Sequence, residues 1–332
     1  MVVKVAIVSF AHVHAPGHVE QLLRRSDVEV VGAFDDNAER GRYYANRYNL
    51  RLFNSIDELI KAKPDVAVVD SETSKHRQYV QLLAENGVNI FCEKPIGVNL
   101  RDAVEIRDIV KKHGILFTTG FNSRFNPENV KAREVIASGA IGRVNMVRVR
   151  VAHSGAVDRW FKGWSEWFTQ VQYSGGGGFL DLGIHGADLL RYILGDEAVE
   201  VVGFITNSTG AYNIDDQGVA LVKFSRGTLG ILDAGWTQIT EGLPWAPLEA
   251  YGDKGSLIRT ELGLMYYVRG QEGWVKPRLQ GGQRTALDEL IDAVSKGGSL
   301  TITVDDAVKA QEIIEAAYRS SAEGRAVKLP LL

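Results

Sequence analysis

A single cysteine, Cys92, occurs among the 332 residues, so the chain cannot form an internal disulfide. So little cysteine is typical of proteins in reducing compartments, and we expect a cytoplasmic location. No apolar run reaches the roughly 18 residues that a membrane-spanning helix requires. The opening stretch MVVKVAIVSF lacks the small-residue cleavage site of a secretory signal. The sequence therefore predicts neither a disulfide scaffold nor a membrane span nor an exported protein.

The chain also lacks an excess of either charge. Lysine and arginine number 38 against 41 aspartate and glutamate residues, a formal net charge of −3. This near balance gives no reason to expect binding to nucleic acid or to a membrane surface. Hydrophobic residues make up 45% of the chain, as in a globular protein, and the length suggests about two domains. We therefore expect a small-molecule ligand and further copies of the chain as partners.

Short apolar segments alternate with helical patterns over the first third of the chain. Apolar segments rich in valine and isoleucine are typical of parallel strands covered on both faces. Asn37 and Asn99 stand where helices begin, and Gly87 and Gly114 where helices end. Repeated units of this kind predict a doubly wound parallel sheet, an α/β domain over residues 1–122. The predicted strands are Val3–Val8, Val28–Phe34, Val66–Val69, Asn89–Cys92 and Leu116–Thr119, and the predicted helices are Pro16–Arg25, Ala38–Tyr48, Ile56–Ala62, Lys75–Glu85 and Leu100–His113.

The remainder of the sequence has a different pattern. The segment IGRVNMVRVRVAH alternates like a strand with one solvated face, as do GVALVKFS and LEAYGDKGSLIRT further on. Arg226–Gly227 and Lys254–Gly255 mark tight turns between such segments, which favours an antiparallel meander. We predict an α+β domain with a large open, mainly antiparallel sheet over residues 123–332. Its predicted helices are Pro127–Ser138, Gly178–Ile193, Arg284–Lys296 and Asp305–Ala322.

The first strand runs into the turn SFAHVHAPGH, where a dinucleotide-binding fold of the Rossmann type normally carries glycines. Small residues there allow a sharp bend, close approach of a pyrophosphate and close packing of the next helix. Ser9 and Ala11 fall on the first two glycine positions and are still small, whereas His14 falls on the third. The turn therefore fits either a nucleotide site or an ordinary connection between strand and helix.

The pair His12 and His14 also resembles the His-x-His pair of metal-dependent barrel hydrolases. Such a site needs further His and Asp ligands at later strand ends. No later strand of the first domain ends in a histidine, and His76 and His113 fall on predicted helices. We therefore expect no metal, and solvated or hydrogen-bonded imidazoles in the turn, including His18.

The second strand ends in Asp35 and Asp36, at the distance from the turn where an acidic residue can bind the adenosine ribose. A carboxylate there accepts hydrogen bonds from ribose hydroxyls and repels a 2′-phosphate, which favours NAD over NADP. The alternative is that Asp36 and Asn37 only cap the next helix. The two roles are compatible, and we expect Asp35 to contact the ribose.

Two further motifs carry candidate chemistry. FCEKPIGVNL places Glu93 and Lys94 at the carboxyl end of a parallel strand, where ligands bind in such sheets. SGGGGFLDLGIH places Asp181 and His185 four residues apart on one helix face, so the carboxylate can orient the imidazole for proton transfer. The glycine run before it permits close approach of backbone or of a ligand. A solvated loop lysine and an exposed helical pair are the alternatives.

Six segments, taken in order, resemble the motifs of Gfo/Idh/MocA oxidoreductases, a family named for glucose–fructose oxidoreductase, inositol dehydrogenase and rhizopine catabolism. They are EKP, GFNSRFNP, SGAIGRV, GGGGFLDLGIH, LEAYGDKGSL and VDDAVKAQEIIEAAYRSSAEGRAVKL, and the resemblance covers nearly the whole chain. The resemblance implies hydride transfer between NAD, or NADP, and a hydroxyl carbon of a small carbohydrate or polyol. It also implies a homodimer or homotetramer formed through the C-terminal sheet. The chain departs from the family in its glycine-poor first turn and in SETSKH, where the family often has Thr-Pro-Asn.

By this resemblance, Lys94 lies beside the nicotinamide and the reacting hydroxyl, and Asp181 and His185 form the substrate-binding and acid–base pair. Lys94 and His185 are accordingly expected to converge on one cleft. The stretch DRWFKGWSEWF has tryptophans at helical spacing that suit either a sugar surface or a buried face. Cofactor contacts are expected from Ser9, Ala11, His12, Asp35, Ser71, His76, Glu93 and Lys94, and substrate contacts from Asn122, His153, Trp160 and Trp236.

Two other functions are open on the same motifs. One is a glycosidase that oxidises its substrate transiently with a tightly held NAD. The other is a non-catalytic protein that binds a sugar or nucleotide, against which the retained Lys94, Asp181 and His185 argue.

Overall fold

The structure is a computed structural model that describes residues 2–241, 243, 245–282 and 284–332. The chain forms two compact units. The first comprises Met1–Gly120, Phe161–Gly175 and Thr285–Val308, and the second comprises Phe121–Trp160, Gly176–Arg284 and Lys309–Leu332. The chain first passes from the first unit to the second after Gly120, close to the predicted boundary at residue 122. The sequence-based division placed residues 161–175 and 285–308 in the second domain, whereas in the structure both segments belong to the first unit.

The secondary structure follows most of the predicted elements. The strands are β1 (Val3–Val8), β2 (Val28–Phe34), β3 (Leu52–Phe53), β4 (Val66–Val69), β5 (Asn89–Cys92), β6 (Phe117–Thr119), β7 (Val144–Ala152), β8 (Ala198–Thr206), β9 (Gln217–Phe224), β10 (Leu229–Gly235), β11 (Leu248–Gly252), β12 (Gly255–Thr260), β13 (Gly263–Val268) and β14 (Val327–Lys328). The α-helices are α1 (Ala15–Leu23), α2 (Ala38–Tyr48), α3 (Ile56–Lys61), α4 (His76–Glu85), α5 (Leu100–His113), α6 (Pro127–Ala137), α7 (Val171–Ser174), α8 (Gly178–Leu194), α9 (Ala286–Lys296) and α10 (Val304–Glu323).

A six-stranded parallel sheet in the order β3-β2-β1-β4-β5-β6 forms the core of the first unit. Every pair of neighbouring strands in it runs parallel, which confirms the predicted doubly wound sheet. All four residues of β4 are buried, as a strand covered on both faces requires. The sequence pattern missed β3 of this sheet, because two residues are too short to show a period.

Helix ends in the first unit follow the predicted caps. The side chain of Asn37 accepts hydrogen bonds from the amides at the start of α2, and Asn99 does the same for α5. Gly114 ends α5 in the left-handed conformation. The helix α9 is fastened near the end of α1, because Arg25 pairs with Asp288 at 3.0 Å and with Asp292 at 2.9 Å.

An eight-stranded sheet in the order β13-β12-β11-β7-β10-β9-β8-β14 forms the core of the second unit. Its pairs are antiparallel except for β7 and β10, so the predicted mainly antiparallel sheet is confirmed. The helix α8 packs on one face of this sheet, against β7, β9 and β10. Alternate residues of β9 point away from the buried face and are exposed. Among the described residues, no helix is both long and apolar enough to cross a membrane.

Candidate active site

The turn after β1 keeps a sharp bend although its glycines are replaced. Ser9, at the first glycine position, has a φ of 72°, a conformation that favours glycine. Its hydroxyl stabilises the bend, because Oγ accepts hydrogen bonds from the amide of Ala11 at 3.2 Å and from Nη2 of Arg40 at 3.1 Å. Ser9 and Ala11 are both buried. Side-chain hydrogen bonds therefore hold a conformation that glycine would adopt without them.

Several amides of this turn are engaged within the chain. The amide of Phe10 donates to Asp35 at 2.8 Å, that of His12 to the carbonyl of Asp70 at 2.8 Å, and that of His14 to Nδ1 of His12 at 3.2 Å. A glycine-rich turn presents such amides to a pyrophosphate. In the present conformation these three amides are hydrogen-bonded elsewhere, so the turn is not the usual amide cradle.

Asp35, the predicted ribose ligand, forms a buried ion pair with Arg40. Nε of Arg40 donates to Oδ2 at 2.9 Å and Nη2 donates to Oδ1 at 2.8 Å, a two-point contact. The amides of Phe10 and Asn37 donate to the same carboxylate. The side chain of Asp35 is 0% exposed. Its carboxylate is thus occupied within the chain, and its contact with ribose stays a prediction.

The end of β2 nevertheless fits the ribose of NAD through Asp36. The side chain of Asp36 is 32% exposed and pairs with Lys75 at 2.5 Å. Glu72 lies 3.0 Å from Lys75 and 3.4 Å from Arg40, so together with Asp35 three carboxylates surround two cations. An exposed carboxylate can accept hydrogen bonds from a ribose hydroxyl, and the acidic surroundings disfavour a 2′-phosphate. The residues present fit NAD better than NADP.

A second buried group, the histidine–carboxylate cluster, consists of His12, His14, His18, Asp70 and Glu93. Glu93 Oε1 lies 3.1 Å from Nδ1 of His14 and 3.4 Å from Nε2 of His18, and Glu93 Oε2 lies 3.7 Å from Nε2 of His12. Nδ1 of His18 lies 3.1 Å from both oxygens of Asp70. Four members are buried, whereas the side chain of His14 is 49% exposed. Histidines expected to be solvated or hydrogen-bonded thus surround one buried carboxylate.

Charges within the histidine–carboxylate cluster shift each other's pKa values. Burial opposes the charged form of His18, but Asp70, with Glu93 nearby, raises its pKa to about 9. Burial also opposes ionisation of Glu93, yet the neighbouring imidazoles hold its pKa well below the usual range. For Asp70, burial prevails and raises the pKa. His18 is therefore an imidazolium at neutral pH in this arrangement.

The imidazole of His76 connects the loops that follow β4 and β5. Its Nδ1 lies 3.1 Å from the carbonyl oxygen of Pro95 and its Nε2 lies 3.2 Å from that of Ser71. Burial lowers its pKa. The loop after β5 carries Lys94, which is buried and whose amide donates to Glu93 Oε2 at 3.0 Å. All eight residues expected to contact the cofactor are buried, and each such contact stays a prediction.

The second unit carries the other two predicted catalytic residues on α8. Asp181 is buried, and its Oδ2 accepts a hydrogen bond from Nε1 of Trp236 at 2.9 Å. His185 lies one turn further along the helix and is half-buried. Its ring centre lies 6.1 Å from that of Phe121 and 6.4 Å from that of Trp245. Trp236, which is fully buried, thus orients Asp181, whereas His185 stands among aromatic rings; contact of Trp236 with substrate stays a prediction.

The glycine run before α8 serves close packing of backbone. A Cβ at Gly177 would lie 1.9 Å from the carbonyl oxygen of Asp215, and one at Gly178 would lie 2.5 Å from that of Asp216. The carboxylate of Asp215 accepts the amides of Gly177 and Phe179 at 2.9 and 3.0 Å. Of the two explanations that the sequence left open, approach of backbone therefore accounts for this run, and it anchors the start of α8.

The aromatic stretch DRWFKGWSEWF divides between the two units. Trp160 belongs to the second unit, is 52% exposed and stacks on His153 with ring centres 4.6 Å apart. Trp164 and Trp167 belong to the first unit, on a 3₁₀ helix over Gly163–Thr169, and Nε1 of Trp167 donates to the carbonyl of Ala11 at 3.0 Å. The stretch is thus not one amphipathic helix, because Trp160 precedes the helical turn.

The structure groups the predicted residues by unit. Lys94 and the cofactor candidates lie in the first unit, whereas Asp181, His185 and the four substrate candidates, including the exposed Asn122, lie in the second. The convergence of Lys94 with His185 stays a prediction. Sequence reasoning missed Arg40 and Trp245. A cation five residues after an acidic strand end was the available signal for Arg40, whereas no pattern marks Trp245.

Known protein families match both parts of the chain. Residues 3–121 match the family described as "Oxidoreductase family, NAD-binding Rossmann fold", and residues 129–258 match the "GFO/IDH/MocA C-terminal domain". The chain is 29% identical to a 1,5-anhydro-D-fructose reductase of Ensifer adhaerens, over 92% of this chain and 93% of the relative. It is 26% identical to a myo-inositol 2-dehydrogenase of Thermotoga maritima, over 94% of each.

Among solved structures, the chain is similar to GenD2 from gentamicin A biosynthesis in complex with NAD. The TM-score is 0.83 at 27% identity, over 99% of this chain and 96% of GenD2. Together, the two matched domains confirm the resemblance seen in the sequence motifs, the expected fold class and the NAD-binding character of the first domain. The chain belongs to the Gfo/Idh/MocA family of NAD-binding oxidoreductases.

Proposed function

We propose that this protein is an NAD-dependent dehydrogenase or reductase of a sugar, polyol or related small carbohydrate. The observation that carries the proposal is the family match over both domains, residues 3–121 and 129–258. Relatives over nearly the full chain are named for anhydrofructose and inositol substrates. By the resemblance of their motifs to those of the family, we propose that Lys94, Asp181 and His185 carry the chemistry.

Each of the three residues has a separate role in this proposal. Bound NAD would supply a hydride acceptor, or NADH a donor. His185 holds or releases the proton of the reacting hydroxyl through its imidazole. The Lys94 ammonium hydrogen-bonds the same oxygen and stabilises its developing negative charge. Asp181 binds a substrate hydroxyl through its carboxylate, which the hydrogen bond from Trp236 to Oδ2 holds in place.

Exposed tryptophans of the second unit suit a carbohydrate. Trp245 is 47% exposed and lies beside His185, and Trp160 is 52% exposed on its stack with His153. The aliphatic face of a sugar ring packs well on an aromatic plane. We propose that Trp245 contacts the substrate near the reacting carbon and that the pair of Trp160 and His153 contacts it further away.

Cofactor preference follows from the acidic end of β2. We propose that Asp36 binds the adenosine ribose, in place of Asp35, whose carboxylate is paired with Arg40. A 2′-phosphate would meet the Asp36 and Glu72 carboxylates, and the charge of Lys75 is already shared between them. The protein should therefore use NAD in preference to NADP.

The first test is a panel of sugars and polyols, oxidised with NAD or NADP separately and followed by absorbance of the reduced nicotinamide. The proposal expects net formation of NADH with at least one carbohydrate, and a lower kcat/KM with NADP. Cleavage of glycosides without net NADH would support a transient-oxidation glycosidase instead. Binding of NADH and sugar without any turnover across the panel would refute the enzymatic function.

The second test is a double-mutant cycle on the two groups that are proposed to act on one oxygen. His185→Ala is expected to lower kcat by about 10²–10⁴-fold while binding of NADH, followed by fluorescence, is retained. Lys94→Met should also lower kcat, and the double variant should lose much less than the product of the two effects. Matched controls are His113→Ala and Lys112→Met at the end of α5. Full additivity would refute a shared oxygen.

We also propose a homodimer or homotetramer that forms through the outer face of the eight-stranded sheet. Phe204 is 72% exposed, and Leu221, Leu229 and Val219 are each more than 40% exposed on the same sheet. Contiguous apolar surface of this kind is typical of protein interfaces. Light scattering on the purified protein should give twice or four times the mass of the chain, 36.5 kDa.

A cytoplasmic location is proposed on the basis of cysteine usage. The single thiol, Cys92, is buried, and burial raises its pKa well above the usual value, so it is protected from oxidation. Fractionation of cells that express the untagged protein tests the location, and recovery from an exported fraction would refute it.

A further inference from the structure

The histidine–carboxylate cluster offers more ligating groups than the proposed hydride transfer uses. His12 and His14 follow β1, Asp70 follows β4 and Glu93 follows β5, so three carboxyl ends of one parallel sheet supply them. Ligand atoms of His12, His14 and Glu93 all lie within 4.8 Å of one another, and those of His18, Asp70 and Glu93 form a second such group. Both groups share Glu93, which is therefore the centre of the cluster.

We propose that this cluster binds one divalent transition-metal ion of the zinc type. The ligands are Nε2 of His12, Nδ1 of His14 and the carboxylate of Glu93. In a tetrahedral zinc site, bonds of about 2.0–2.1 Å place neighbouring donor atoms roughly 3.4 Å apart. Glu93 Oε1 lies 3.1 Å from Nδ1 of His14 and Glu93 Oε2 lies 3.7 Å from Nε2 of His12, so each imidazole nitrogen has one carboxylate oxygen close to that separation. Small side-chain movements thus suffice for ligation.

The donor set selects the class of ion. Two imidazoles and one carboxylate are a ligand set of zinc enzymes and of other transition-metal sites, whereas calcium and magnesium prefer oxygen ligands alone. Three protein ligands leave a fourth position for water or another ligand. The side chain of His14 is 49% exposed, which gives an ion a path from solvent.

His18 and Asp70 support the proposed site from behind. The Asp70 carboxylate holds Nδ1 of His18 at 3.1 Å, and Nε2 of His18 lies 3.4 Å from Glu93 Oε1. Hydrogen bonds from such outer partners fix a ligating carboxylate in place, and their loss typically weakens metal affinity by about 10–100-fold. His18 is therefore a positioning residue for Glu93 rather than a ligand.

Binding of a metal ion would require the imidazole protons of His12 and His14 to change position. Nδ1 of His12 accepts the amide of His14 at 3.2 Å, which places the imidazole proton on Nε2. Ligation through Nε2 moves that proton to Nδ1 and breaks this long hydrogen bond. Ligation of His14 through Nδ1 likewise moves the proton that lies between His14 and Glu93, 3.1 Å apart, to Nε2 of the same ring. Metal binding thus exchanges two hydrogen bonds for three bonds to the ion.

The experiment uses untagged full-length protein that has been stripped with a chelator. Zinc alone is titrated calorimetrically, and cobalt is added separately as a spectroscopic probe for a four-coordinate site. We expect one ion per chain and visible cobalt bands. His14→Ala, which removes an exposed ligand, and Glu93→Gln should each weaken zinc affinity at least tenfold. His113→Ala, a histidine on α5, should leave the affinity unchanged. Circular dichroism checks that each variant is folded.

These measurements decide whether the histidine–carboxylate cluster binds a metal ion or only shares protons between its imidazoles and carboxylates. Absence of stoichiometric zinc binding, or binding that His14→Ala leaves intact, overturns the proposal. Asp70→Asn should weaken zinc about 10–100-fold without changing the stoichiometry. Binding of NADH is measured on the stripped protein and on the zinc-loaded protein as an independent readout. A protein that binds NADH but no zinc retains the proposed function and loses only the metal site.

Discussion

Replacement of Arg40 by leucine tests whether the buried ion pair at the end of β2 holds the nucleotide turn. The side chain of Arg40 is 3% exposed and that of Asp35 is 0% exposed. Arg40 donates twice to Asp35 and once each to Ser9, Glu72 and Asp36. Leucine keeps much of the apolar volume but leaves Asp35 as a buried carboxylate without its cation.

Breaking a buried ion pair by removing one partner costs about 3–5 kcal/mol. The amides of Phe10 and Asn37 still donate to Asp35 in the variant, so we expect the lower end, a loss of about 3 kcal/mol in the free energy of unfolding. With a denaturant slope of order 3 kcal/mol/M, the urea midpoint should fall by about 1 M. Urea unfolding followed by circular dichroism measures this shift.

Two further variants make the Arg40 experiment decisive. Arg42→Leu changes the same residue type on the exposed side of α2 and should alter stability by about 0.5 kcal/mol or less. The double variant Asp35→Asn with Arg40→Leu should recover part of the loss, because the buried charge is then neutral. A loss below about 1 kcal/mol for Arg40→Leu alone would show that water or backbone movement compensates Asp35 and would refute the reasoning.

Three other perturbations have defined outcomes. Gly177→Ala places a Cβ 1.9 Å from a backbone carbonyl oxygen and should destabilise the second unit by about 3 kcal/mol in thermal unfolding, whereas Gly282→Ala meets no atom within 4 Å and should be neutral. Asp292 forms an ion pair with Arg25. Burial opposes the charge of Asp292, but the hydrogen bond from Arg25 lowers its pKa. The contribution of this ion pair to folding stability is therefore present above pH ~4 and is lost as the pH falls below that value. Asp292→Asn should therefore cost about 1 kcal/mol at pH 7 and almost nothing at pH ~2, and an equal cost at both values would contradict this assignment. Leu221→Glu, on the exposed side of β9, should reduce the mass seen by light scattering to that of one chain, and an unchanged oligomer would locate the interface elsewhere.

The sequence predicts most of the first unit because its signals are local. The strands β1, β2, β4 and β5 have the predicted bounds, since each is a short apolar run between turn residues. Asn37 and Asn99 cap their helices as expected, because an N-cap depends on the next three residues alone. The return of residues 161–175 and 285–308 to the first unit could not be predicted, because no local pattern records which core a segment joins.

The site was predictable in its positions but less in its partners. The spacing of four residues located Asp181 and His185 on one helix, and the structure adds that Trp236, more than fifty residues later, holds Asp181. Asp35 stood where a ribose ligand belongs, yet its pairing with Arg40 depends on which way both side chains turn from their elements. Spacing gives the strand end on which a residue lies, whereas the choice of partner is a tertiary event.

The missing glycines and the buried histidines of the first turn are one feature rather than two. Glu93 follows β5 and is 1% exposed, so its charge requires compensation within the chain. His12, His14 and His18 supply that compensation, and two of them occupy the turn that glycines fill in an ordinary dinucleotide fold. With glycines in place of His12 and His14, His18 would be the only one of these three imidazoles left near Glu93. The backbone amides of Phe10, His12 and His14 donate hydrogen bonds to Asp35, Asp70 and His12, so hydrogen bonds within the chain hold the turn. The loss of glycines therefore does not indicate decay of the site, because a decayed turn would not retain a buried carboxylate together with the imidazoles that contact it.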